Sequence, residues 1–140
     1  MRTGSEIETD FYRAVQETDL AKNVNGKVYR DDFRPRNSKA EDIIVRLTAV
    51  TSGQVQDGVV TLLVYTPDLD ASGKGAKKRN SKRLAELEIL AAQAVEDLAL
   101  ILGEYNDVSL ETGIRSYRDD NEQHFVSARI QFEYLNENNY

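Results

Sequence analysis

The stretch KRLAELEILAAQAVEDLALIL, from Lys82 to Leu102, decides the architecture. Leu84, Leu87, Ala91, Ala94, Val95, Leu98, Ile101 and Leu102 recur at helical spacing and draw a wide apolar face. Glu86, Gln93, Glu96 and Asp97 lie opposite or flank it. Ser81 is placed to cap the start, and Gly103 stands where a left-handed residue commonly ends a helix. About 21 residues make a helix roughly 30 Å long, enough to lie across a whole sheet.

The sequence on either side supplies that sheet. Val59–Thr66 (VVTLLVYT) is rich in β-branched residues and reads as the most buried strand. Ile43–Thr51 alternates, with Val45, Leu47 and Ala49 on one side and Ile44, Arg46 and Thr48 on the other. Ser52-Gly53 and Asp57-Gly58 mark a turn between the two, which makes them a hairpin. Downstream of the helix, Val108, Leu110, Thr112 and Ile114 alternate in one strand. Val126, Ala128, Ile130, Phe132 and Tyr134 alternate in another, and a charged tip, Arg118–Gln123, lies between them.

Upstream, Ser5 and Glu8 have capping-box spacing, and Ile7, Phe11 and Val15 continue one stripe, with Ala14 and Thr18 beside it. This predicts a helix over about 5–18. Asn25-Gly26 signals a turn before a short strand at Lys27–Arg30 with Val28 buried. Arg34-Pro35-Arg36-Asn37-Ser38 sits in a polar connector, 31–40, and the proline keeps Arg34 out of helical geometry. The predicted order is α-β-β-β-α-β-β. This is an α+β fold with a mainly antiparallel sheet and one long helix packed on it.

Length and composition agree with one domain over residues 1–140. The chain has 140 residues, 40% hydrophobic and 30% charged, with two prolines and eight glycines. It has no cysteine, which excludes disulfides, thiolate metal sites and a cysteine nucleophile. The polar, acidic start has no signal-peptide apolar core, and no apolar run approaches the ~20 residues needed to span a bilayer. The expectation is a soluble, unanchored chain.

Net charge is −6, unevenly spread. Lys74, Lys77, Lys78, Arg79, Lys82 and Arg83 fall within one stretch that holds no acid. Without those cations the rest of the chain would carry −12, six below the −6 of the whole. An acidic body with one basic segment differs from a general nucleic-acid binder, whose basic surface dominates. The segment itself, 68–80, has no periodicity and reads as a flexible basic loop.

Residues that carry chemistry are sparse. Gly73-Lys74-Gly75-Ala76-Lys77-Lys78 lacks the spacing of a phosphate-binding loop, and no Gly-x-Ser-x-Gly elbow surrounds a serine. His124 neighbours Asp119, Asp120 and Glu122. They could form a divalent-metal cluster or acid–base pair, but Asp and Asn at a solvated hairpin tip explain the same residues. Asp31-Asp32, Glu41-Asp42 and Glu96-Asp97 read as turn, strand entry and helix surface. Tyr117, Tyr134 and Tyr140 gather toward the C-terminal strands, where exposed aromatics suit an interface and packed ones a core. The reading is of a non-enzyme with no cofactor and no metal.

The arrangement resembles the tail terminator, or tail-completion, proteins of long-tailed bacteriophages and similar head–tail joining proteins. It rests on the N-terminal helix, Asn25-Gly26-Lys27-Val28-Tyr29, the Arg34–Ser38 connector, and a hairpin ending Leu63-Val64-Tyr65-Thr66-Pro67-Asp68. The long helix and two closing strands complete it. The resemblance spans roughly residues 5–135 and implies a structural virion protein, assembled in the bacterial host cytoplasm. It would cap the tail tube as an oligomeric ring, commonly a hexamer, and meet the head connector. DNA would pass nearby without sequence recognition. Carried onto this chain, contacts with tube, connector or neighbouring subunit fall to Lys74, Lys77, Lys78, Arg79, Lys82 and Arg83 in the basic segment, and to Asp119, Asp120 and Glu122 at the tip. Two other functions compete: a small nucleic-acid-binding module using the basic 74–83 loop, and a metal enzyme built on Asp119, Asp120, Glu122 and His124.

Overall fold

Thr3, rather than Ser5, caps the first helix. Its hydroxyl accepts from the Glu6 amide at 3.2 Å, and the Glu6 carboxylate accepts from the Thr3 amide at 3.0 Å. Thr3–Glu6 and Ser5–Glu8 share one spacing, and tertiary contacts choose between them. Glu8 is drawn away to Arg30 at 3.1 Å and to the Leu47 amide at 3.4 Å. Helix α1 therefore runs Gly4–Val15 and buries Ile7, Phe11, Ala14 and Val15. The chain does not continue helically to residue 18. Buried Thr18 donates to the Val15 carbonyl at 2.7 Å and caps a second short helix, α2, Asp19–Asn23.

The computed structural model describes residues 1–70 and 77–136. After α2 come β1 (Val28–Arg30), β2 (Ile43–Val50), β3 (Val55–Pro67), α3 (Ser81–Ile101), β4 (Asp107–Leu110), β5 (Arg115–Asp119) and β6 (Gln123–Leu135). The fold is α+β, with the six strands in one sheet ordered β1-β2-β3-β6-β4 and β5 also paired to β6. β4 and β5 line the same edge of β6, at Ile130–Glu133 and Gln123–Ser127 respectively, so they act as one edge interrupted between Leu110 and Arg115. Every pairing is antiparallel except β1 with β2, which is parallel and makes the sheet mixed. The connector 31–42 carries the chain back to start β2 beside the start of β1.

β3 starts earlier than its turn-like Asp57-Gly58 suggests, because that glycine lies inside the strand. A Cβ on Gly58 would collide with the Ala49 carbonyl and come within 2.5 Å of the Phe132 ring. The reversal falls instead at Gly53, whose φ of 115° favours glycine. The α3 cap also moves by one residue: the Asn80 side chain accepts from the Arg83 amide at 3.2 Å. At the other end Leu102 closes the helix on the Leu98 carbonyl, and Gly103 does not take a left-handed φ.

Alternation then assigns the two faces of the sheet. Ile43 and Val45, Val60, Leu62 and Val64, and Val126, Ala128, Ile130 and Phe132 point at α1 and α3, and all are buried. Phe11, Tyr105, Phe132 and Tyr134 cluster there with ring centroids 5.1–5.8 Å apart. The Tyr105 hydroxyl donates to Asp10 at 2.8 Å, and burial followed by that bond raises its pKa. Among the described residues, no helix covers the opposite face. The connector folds over one corner of it, where the Arg34 guanidinium lies 4.0 Å from the Tyr65 ring centroid.

Candidate assembly interface

Three loops meet at one end of the sheet, where β2 and β6 begin and β3 and β5 end: the connector 31–40, the base of the basic segment and the β5–β6 tip. Two arginines hold this end together. Arg34 donates through Nε to Asp42 at 2.9 Å, and through Nη2 to Gln123 at 3.1 Å and to the Ala40 carbonyl at 3.3 Å. The two side chains of the pair are 8% and 2% exposed. Gln123 passes the connection on, donating to Asp119 at 2.6 Å.

Arg83 is the second anchor. It donates to both oxygens of Glu41, at 2.7 Å and 2.9 Å, to Glu86 at 3.2 Å and to the Asn23 carbonyl at 3.1 Å. Thr66 adds a donor to Glu41 at 3.1 Å. Burial by itself would push the Glu41 carboxyl up, but Arg83 and Thr66 outweigh it and hold the carboxyl below its ordinary value. The same hydrogen bonds raise Arg83. This arginine, expected among the partner contacts, is committed within its own chain.

The tip is a three-residue loop, Asp120-Asn121-Glu122, with Glu122 in the left-handed region at φ 55°. It is clamped from both sides. Lys39 donates to the Asn121 carbonyl at 2.6 Å, Asn121 donates to the Arg36 carbonyl at 3.0 Å, and the Asp68 amide donates to the Glu122 carbonyl at 2.9 Å. Asp119 is half-buried on Gln123, while Asp120 and Glu122 are exposed. His124 turns away from the tip acids and shares a hydrogen bond with Asp68 at 2.7 Å. Among the described residues, no group of three or more His, Asp or Glu is placed to hold a metal ion.

The basic segment is pinned at its base, where Leu69 and Lys78 exchange backbone hydrogen bonds at 2.6 and 2.7 Å. Lys77, Lys78, Arg79 and Lys82 are exposed, and Lys77 lies 3.8 Å from Asp70. Lys74 and the stretch 71–76 lie outside the described residues, as does Tyr140. Tyr117 stacks on Phe125 with centroids 5.6 Å apart and stays 42% exposed, while Tyr134 joins the core cluster. The structure thus brings the base of the basic segment and the acidic tip together. Sequence reasoning missed Glu41 and Asp42, which looked like an ordinary strand entry. Their signal was two consecutive acids leading directly into an apolar strand.

A scan against family models finds none that matches the chain, and a search of the curated proteins returns no match.

Proposed function

We propose that this chain is a non-enzymatic structural subunit of a phage virion. It assembles into an oligomeric ring that caps the tail tube and joins tail to head, in the manner of the tail terminators its sequence resembles. The observation that supports this reading is the end of the sheet where three loops are tied together. The buried Arg34–Asp42 pair and the partly buried Arg83–Glu41 pair fix a surface on which Lys78, Arg79, Lys82, Asp120 and Glu122 remain exposed. Rigid backbone displaying solvated charge of both signs suits recognition of protein partners, because electrostatic complementarity sets register and orientation.

The partners are then further copies of the chain, the tail tube and the head connector, and DNA passes through the assembly without being read. Negative-stain imaging and native mass spectrometry of the chain, alone and mixed with tail tubes lacking their terminator, test this. The expected result is a closed ring, or saturable binding at tube ends. The absence of both ring formation and tube-end binding refutes it. Micromolar DNA binding that collapses with salt and with Lys77→Glu and Lys78→Glu would put the nucleic-acid module in its place.

A further inference from the structure

The helix-free face of the sheet carries a feature the proposed function does not use. At the end opposite the three loops, Asp57, Glu133 and Asp107 stand in one cross-strand row. Asp57 of β3 pairs directly with Glu133 of β6, which pairs directly with Asp107 of β4. Alternation puts all three on the uncovered face, with Glu111 two rows further along and bonded to Arg129 at 3.2 Å. Among the described residues, Asp57, Asp107 and Glu133 have no side-chain hydrogen bond or ion pair. Like charges directly opposite one another destabilise a sheet, so this row costs the isolated chain stability.

These carboxylates line an open groove of about 450 Å³ together with Val50 and Val59, and exposed Val55 lies next along β3. Carboxylates that have no cation among the described residues are complementary to cationic side chains reaching in from another molecule. The chain itself carries a matching surface. Lys78, Arg79 and Lys82 are exposed and, among the described residues, have no anionic partner. They sit beyond the far end of β3. At ~3.3 Å per residue, that is on the order of 30 Å from Asp57, too far to reach the row of the same chain.

We propose that the acidic groove receives the basic segment, Lys77–Lys82, of a second copy of this chain. Acid at one end and base at the other make the contact head-to-tail, which closes into a ring when the rotation between copies permits. The inference rests on the ring reading and names the contact that would build it. Salt weakens such a contact, because both surfaces are solvated.

Charge swaps test it. One variant carries Lys78→Glu, Arg79→Glu and Lys82→Glu; the other carries Asp57→Lys and Glu133→Lys. Sedimentation velocity from about 10 μM to about 1 mM should show wild-type species larger than a dimer. Each swap alone should lose them, and an equimolar mixture should regain them, because acidic segments then meet basic grooves. A neutral variant, Asp57→Asn with Glu133→Gln, guards against misfolding. It should weaken association about tenfold or more while raising the melting temperature of the monomer, since it relieves the like-charge row. Assembly unchanged by both swaps overturns this contact but leaves the ring reading standing. A wild-type chain that stays monomeric overturns the contact too, and tube-end binding then judges the ring reading separately. If that monomer binds decalysine through Asp57 and Glu133, the occupant is a different basic protein, and the self-contact is wrong.

Discussion

Removing the Arg83 guanidinium separates the cations that hold the fold from those that face outward. Glu41 accepts two charge-assisted bonds from Arg83, and the paired side chains are 19% and 10% exposed. In Arg83→Ala the carboxylate keeps Thr66 and loses its only cation among the described residues. Breaking a fully buried pair from one side costs about 3–5 kcal/mol. Water can reach the exposed fifth of Arg83, so the lower end, about 3 kcal/mol, is expected here. With a urea slope of about 1.5 kcal/mol/M, the unfolding midpoint should fall by roughly 2 M. Lys78→Ala and Arg79→Ala, on exposed residues of the same run, should leave it unmoved. The pH profile gives a second readout. The folded state holds the Glu41 carboxyl below its ordinary value of 4.5, so this stabilisation is complete above that pH and fades as pH falls through the lower folded value. Arg83→Ala should flatten that part of the stability profile. If Arg83→Ala is as silent as Lys78→Ala, Arg83 belongs with the outward-facing cations and the anchor is wrong.

Two further outcomes probe the sheet and its first helix. Gly58→Ala should destabilise by about 1–3 kcal/mol, because the new methyl meets the Ala49 carbonyl and the Phe132 ring; a midpoint unchanged in urea would show that the register shift between Leu47 and Ala49 in the β2–β3 pairing absorbs it. Thr3→Ala should lower stability by about 1 kcal/mol, or ~3 °C in melting temperature, while Ser5→Ala does not; the reverse ranking would return the cap to Ser5.

The elements legible in the sequence are those whose period is set by one large burial. α3, the β2–β3 pair and β6 each present a continuous apolar face to one core, so spacing alone places them. The missed features depend on a choice between equivalent local signals or on contacts far along the chain. Thr3 and Ser5 offer the same cap, and Glu8 settles the matter through Arg30 and Leu47. Asp57-Gly58 carries turn chemistry, yet its glycine is there to let Phe132 approach. The parallel pairing of β1 depends on which edge the connector returns to, and no periodicity encodes that. The site follows the same rule. Arg79 and Arg83 look alike within a basic run, and only Glu41, 42 positions away from Arg83, tells them apart. The cross-strand acidic row was equally hidden, because Asp57, Asp107 and Glu133 converge only through register.

The charges therefore divide into two sets with different work. Arg34–Asp42 and Arg83–Glu41 are largely dry, satisfied by further hydrogen bonds, and tie loops to the sheet. A buried pair of this kind fixes geometry more than it adds net stability, because desolvation offsets much of its attraction. Lys78, Arg79, Lys82, Asp57, Asp107 and Glu133 are more solvent-accessible and, among the described residues, unmatched. Charges that only kept the chain in solution would have no reason to stand as three carboxylates in direct register. Three serines or lysines interspersed there would solubilise the same surface without the repulsion. A row that costs the single chain stability is explained when a cationic surface covers it. A candidate of that kind, Lys78, Arg79 and Lys82, stands at the other end of the same sheet, too far away to cover the row of its own chain.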